Sequence, residues 1–203
     1  MRNNTNVLNY KIMRQLLLLF LTVITVFCKA QIYPLNTSPS DIPDNAYLKD
    51  TNNELDKYVG LWKGTWNGKT LFLELKKIKS YSSVPGDTHP YYRDEIRGER
   101  KIINSNGVVE IDRISNFGND GAEFWGMGIN LKNGLQKTLT FSPKNMCRKA
   151  ATLIITNFTP TQMTLHFEYL PSFYDDTCQH NAYVEQNNDF PMNFPKDIVL
   201  TKQ

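Results

Sequence analysis

Leu71, Leu73 and Leu75 alternate with Phe72, Glu74 and Lys76. This spacing of two puts every second side chain on one face of an extended strand. Segments of the same kind recur at 60–66, 69–79, 94–103, 108–114, 122–130, 136–141, 151–158, 162–169 and 197–202. Turn-forming residues separate them. Asn67-Gly68 is a two-residue link suited to a tight hairpin. Asn106-Gly107, Asn133-Gly134 and Thr159-Pro160 punctuate later joins. No long amphipathic helix interrupts the series. Short strands at hairpin spacing predict an all-β fold in the form of an antiparallel meander. A meander left open exposes unpaired backbone at two edges, and closure removes both. The expected architecture is therefore a β-barrel of 8–9 strands, with a β-sandwich as its rival. Two connections are long: 80–93, rich in Tyr and Pro, and 171–196. No internal repeat is present.

The chain divides into three parts. Residues 1–30 read as a signal peptide, with Arg14 before an apolar run at 16–28 and Ala30 at its end. The run is too short to span a bilayer comfortably. Met13 is an alternative start, since Met13-Arg14-Gln15 already supplies the basic region. Cys28 invites lipidation, but the residue before it is Phe27 rather than a small one. Residues 31–50, with Pro34, Pro39 and Pro43, form an extended lead-in. Residues 51–203 form the single barrel domain. It opens on a short helical turn at 51–58, with Thr51 as cap and Glu54 in the capping-box position.

Export changes how charge and cysteine are read. The formal net charge is +3, but Arg2, Lys11, Arg14 and Lys29 all lie in the leader, which holds no acid. Without those four, 19 basic residues stand against 20 acidic ones, and net charge lends no support to nucleic-acid binding. The location expected is periplasmic or secreted. Cys147 and Cys178 remain after cleavage, and an even count in an exported chain favours a disulfide.

Residues 55–66, Leu-Asp-Lys-Tyr-Val-Gly-Leu-Trp-Lys-Gly-Thr-Trp, pass from a helical turn into Gly-x-Trp at the first strand. This resembles the opening of lipocalins and related calycin barrels, and the matching residues are Gly60 and Trp62. The resemblance implies a lipocalin-like barrel in which the Trp plugs the closed end and a basic side chain near the last strand packs across it. Lys202 fills that place here, where Arg is usual. The chain as a whole resembles an uncharacterised family of small exported Bacteroidetes proteins. That likeness rests on Tyr47-Leu48-Lys49-Asp50, Leu55 to Trp62, Tyr91-Tyr92-Arg93-Asp94-Glu95-Ile96 with Gly98-Glu99, and Pro195 to Lys202. It implies no activity.

Residues able to do chemistry are few, and each has a plainer reading. Asp175, Asp176, Cys178 and His180 are a dense group of ligand types, but their spacing matches no zinc pattern. A cysteine in a disulfide is not a ligand. His166 and Glu168 share a strand face, as do Glu110 and Asp112 at about 7 Å; both pairs suit a polar outer face. Gly-x-Ser-x-Gly, a phosphate loop and a dinucleotide fingerprint are absent. Gly121, Gly126 and Gly128 mark a bulge or bend. The expectation is no catalytic residue, no metal and no cofactor.

Two binding functions lead, with an enzyme that carries no recognisable motif as the third reading. In the first, an exported non-enzymatic barrel holds a small apolar or amphipathic ligand beside Trp66, Leu71 and Leu73 near the first hairpin. In the second, the interior is filled and the protein is an envelope module that binds a protein or glycan. Its candidate surface is the Tyr-rich loop with Tyr81, Tyr91 and Tyr92. Interior volume discriminates the two. Neither involves nucleic acid or a membrane span.

Overall fold

The computed structural model describes residues 13–17, 31–83, 89–118, 121–130, 136–144, 146–147, 149–170, 177–189, 191 and 194–203, without the side chains of 128–130. Most of the signal-peptide segment with Cys28, the loop residues 84–88, the Asn133-Gly134 turn and Asp175-Asp176 lie outside the described residues.

Among the described residues there are eleven strands: β1 Ile32–Pro34, β2 Tyr47–Lys49, β3 Gly60–Trp66, β4 Lys69–Ser82, β5 Tyr91–Ile103, β6 Val109–Asp112, β7 Phe124–Asn130, β8 Gln136–Phe141, β9 Ala150–Phe158, β10 Gln162–Leu170 and β11 Asp197–Lys202. All nine segments expected from the alternation are strands. Eight of them close into an antiparallel barrel in the order β3, β4, β5, β7, β8, β9, β10, β11 and back to β3. β6 folds back on β5 and stays outside the ring. The lead-in contributes β1 and β2, which pair in parallel, and β2 continues in parallel onto β5. Asn67 and Gly68 both take positive φ, as the tight β3–β4 hairpin requires.

Inward-facing side chains of the ring fill its centre. Trp62, Leu71, Leu73, Leu75, Ile96, Ile102, Phe124, Leu139, Phe141, Leu153, Met163 and Leu200 have no accessible surface. A probe the size of water therefore touches none of them, and the core is packed as a solid.

The helical turn before β3 differs in its capping. It is a short 3-10 turn, Asp56–Tyr58, without a side-chain cap from Leu55. Thr51 does not fill the role expected of it. Instead the carboxylate of Asp50 accepts the backbone N–H groups of Glu54 at 2.8 Å and Leu55 at 2.9 Å. Asp serves this purpose as well as Thr, one residue earlier in the chain.

A disulfide joins Cys147 to Cys178 with their Cα atoms 5.8 Å apart. It ties the β8–β9 connection to the long connection between β10 and β11. The sequence separation of 31 residues corresponds to about 3–4 kcal/mol in the chain-entropy account. The same long connection carries a helix at Asn181–Asn187 and Phe194, which packs on the stacked pair Phe124 and Phe141. No helix among the described residues is long and apolar enough to cross a membrane.

Candidate functional site

β5 organises the surface. One edge pairs along its whole length with β4. The other edge is shared by three strands in turn: β2 at Tyr92 and Arg93, β7 at Arg97 and Gly98, and β6 at Lys101 to Ile103. The barrel is thus closed at this seam by two residue pairs, Arg97 with Trp125 and Gly98 with Phe124. Gly98 permits that closure, because a Cβ there would stand 2.6 Å from Leu75 Cδ2 and 3.1 Å from Phe124 Cβ. Beyond Trp125 the β7–β8 register shifts, with Gly126 at φ +85°. This is the bulge expected at Gly126 and Gly128, whereas Gly121 lies in a turn ahead of β7, and β7 ends its pairing with β5 at Trp125.

Among the described residues, three clefts lie along the seam, with volumes of about 370, 350 and 360 Å³. Each is lined by one arginine of β5: Arg93, Arg97 and Arg100 in that order. Arg97 is committed to Glu95, at 2.5 Å and 2.7 Å, and to the Ser80 hydroxyl. Arg100 donates from Nε to Glu123 at 2.7 Å, in a pair whose side chains are each 5% exposed, and lies over the Phe141 ring. Arg113 extends this buried group, with Nε 3.0 Å from Glu99 and 3.8 Å from Glu123. Burial pushes the Glu99 carboxyl up, and its contact with Arg113 offsets only part of that. Arg93 differs from the other two. Its buried Nε has no hydrogen-bond partner.

The cleft at Arg93 lies where β5 changes partner from β7 to β2. Leu35 follows β1, Asp50 and Leu55 follow β2, Met127 comes from β7 and Lys137 from β8. Asp50 is the hub of its floor. Burial raises its pKa, but the N–H groups of Leu55 and Glu54 and the nearby Lys77 more than offset this, and the net direction is down. Its own N–H donates to Asp94 at 2.9 Å. Asp94 also accepts the Tyr47 hydroxyl, whose pKa is pushed up to about 12 by burial and by this carboxylate.

Beyond Leu75, which pairs with Gly60, β4 continues with β5 as a ribbon past the end of β3. Tyr81 and Tyr92 meet on one face of this ribbon with ring centroids 5.0 Å apart. Lys79 Nζ sits between Tyr92 and Tyr47, 4.3 Å and 4.4 Å from their centroids. Tyr81 remains 52% exposed. Tyr91 is on the other side, packed against Ile42, Ala46 and Leu48. The structure thus brings together two of the three tyrosines singled out by sequence and separates the third.

Leu71 and Leu73 are in the packed core without accessible surface, and Trp66 packs half-buried against it. No water-sized space adjoins the two leucines. Trp62 donates Nε1–H to the Tyr58 carbonyl at 2.9 Å, packs near Phe158, and has Lys202 Nζ 5.3 Å from its ring. The backbone at Gly60 has φ +133°, and a Cβ there would stand 2.9 Å from Lys202 Cε.

The other candidate groups are occupied in ion pairs. Glu110 bonds Lys69 and Asp112 bonds Lys101, each at 2.8 Å. His166 Nδ1 is 2.6 Å from Asp197 on β11, its register partner, rather than with Glu168. Among the described residues no group of three or more His, Cys, Asp or Glu side chains is placed to hold a metal ion.

The fold and these surfaces define a closed β-barrel with packed core side chains and with clefts along the β5 seam. The chain belongs to a family of unknown function (DUF6705), whose model matches residues 13–203. No curated protein and no solved structure matches it.

Sequence reasoning missed Arg93, Arg100, Glu123 and Lys137. A signal for one of them was present. Asp94 and Arg100 share strand parity with Ile96 and Ile102, and a charge at an inward position of a barrel strand requires a buried partner.

Proposed function

We propose that the protein is an exported, non-enzymatic binding module of the cell envelope, which engages a protein or glycan on the outside of its barrel. The observation that carries this reading is that the inward side chains from Trp62, Leu71, Leu73 and Leu75 to Met163 and Leu200 have no accessible surface among the described residues. A barrel that encloses a ligand keeps a cavity for it, and the side chains at the first hairpin leave none beside Leu71 and Leu73. The β4–β5 ribbon offers the contact surface, since Tyr81 and Tyr92 present apolar area and hydroxyls at low entropic cost. The signal-peptide reading of residues 1–30, together with the disulfide, supports export.

The test is cosedimentation of the oxidised protein with envelope fractions of its own host. The protein is expected in the pellet, and the Tyr81→Ser, Tyr92→Ser variant in the supernatant with its near-ultraviolet dichroism intact. A wild-type protein that stays in the supernatant, or a variant that pellets equally, overturns the reading.

A further inference from the structure

Of the three arginines along the seam, two are neutralised by carboxylates and the third is not. Arg93 lines its cleft with a buried Nε that has no partner. A buried donor left unpaired costs free energy that a hydrogen-bonding ligand restores. Lys137 lines the same cleft from a different strand. No ion pair joins either cation to a carboxylate among the described residues. Leu35, Leu55 and Met127 supply an apolar wall, and the volume of about 370 Å³ falls at the small end of the range for ligand pockets.

Two acids also border this cleft, and they limit what it accepts. Asp50 is turned to its own N–H donors and to Lys77. Glu54 is an exposed residue at the rim, where solvent screens its charge. A phosphate group would bring a second negative charge towards both of them. A carboxylate carries one charge and two oxygens, and matches an Arg–Lys pair.

We propose that the cleft at the seam between β2, β5 and β7 binds a small organic carboxylate with an apolar arm. Arg93 and Lys137 hold the carboxylate, and the arm lies against Leu35, Leu55 and Met127. The site is separate from the tyrosine face and does not depend on what that face binds.

The test is an NMR titration of the oxidised protein with octanoate, 1-octanol and inorganic phosphate, following Arg93 Nε–H and the Met127 methyl. Octanoate is expected to saturate and to shift both signals. Octanol and phosphate should each bind at least about tenfold more weakly, since each lacks one half of the recognised chemistry. Arg93→Gln and Lys137→Gln should each weaken octanoate by about tenfold. Lys137 stands on β8, so its variant reads the same site if Arg93→Gln does not fold. Octanol binding as tightly as octanoate overturns the role of the cations, and equal binding of phosphate overturns that of the apolar wall. Failure of octanoate to saturate, or unchanged affinity in the variants, overturns the site itself.

Discussion

The barrel has two narrow seams, and they are finished differently. Where β3 meets β11, the ladder is the two pairs Lys63 with Thr201 and Trp62 with Lys202. Where β5 meets β7, it is again two pairs. Each seam also passes a glycine at which a Cβ would collide: Gly64 against the Val199 carbonyl and Leu200, and Gly98 against Leu75 and Phe124. The first seam is sealed by apolar packing, with Trp62 under Lys202 and against Phe158. The second is held by charge, through Arg100, Glu123, Arg113 and Glu99, and is flanked by clefts. A short ladder thus closes a barrel by either means. Apolar packing seals the first seam, whereas buried charge holds the second beside clefts with chemical character.

Removing the anchor of the sealed seam should have the largest effect. Trp62→Ala empties a fully buried site and loses the Tyr58 hydrogen bond. A loss of about 3–5 kcal/mol is expected in denaturant unfolding. A loss below about 1 kcal/mol would mean that packing at Trp62 does not hold this seam. The charged seam makes a different prediction. Glu123→Leu strands Arg100 without its main partner and should cost about 3 kcal/mol or more. Adding Arg100→Met should restore part of that loss, because two apolar side chains then replace a buried charge that has lost Glu123. If the double variant is less stable than the single one, Arg100 stabilises the seam without Glu123, and stranded charge is not the cause of the loss.

Much of the barrel was legible because alternation marks a face, and a face implies what covers it. Leu71, Leu73 and Leu75 announced the core, and Asn67-Gly68 announced the hairpin between β3 and β4. Pairing between distant segments was less visible. Three-residue strands such as β1 and β2 carry too few side chains for a period, and their docking depends on the free edge of β5. The same edge explains why β6, strand-like in sequence, stands outside the ring. The site was least legible. Arg93 reads as one charge among several in Arg93-Asp94-Glu95-Ile96-Arg97. What separates it from Arg97 is the partner that each finds, and that is decided by where β7 leaves β5. The interior ligand expected beside Leu71 and Leu73 came from barrel geometry alone, which does not reveal whether large inward side chains meet at the centre.

The smallest effect concerns β6, the strand that the split seam holds from outside. Lys101 pairs with Asp112 in register across β5 and β6. The Lys101 ammonium first, and then the Ser115 N–H, lower the Asp112 pKa from 3.8 to about 2. A carboxyl lowered in the folded state contributes stability that is fully present above its unfolded value. That stability fades as pH falls through the folded value. The contribution of Asp112 should therefore be constant near neutrality and disappear between about pH 4 and pH 2. Both side chains are partly exposed, at 31% and 24%, so the contribution is small and screened by salt. Amide exchange at Val109 to Asp112 should accelerate across that range before exchange in β3 and β4 does. In Lys101→Met the Asp112 titration should move up towards its ordinary value, carrying the acceleration with it. If β6 and the barrel strands lose protection together, β6 is part of the barrel's cooperative unit, and the split seam is as firmly closed as the sealed one.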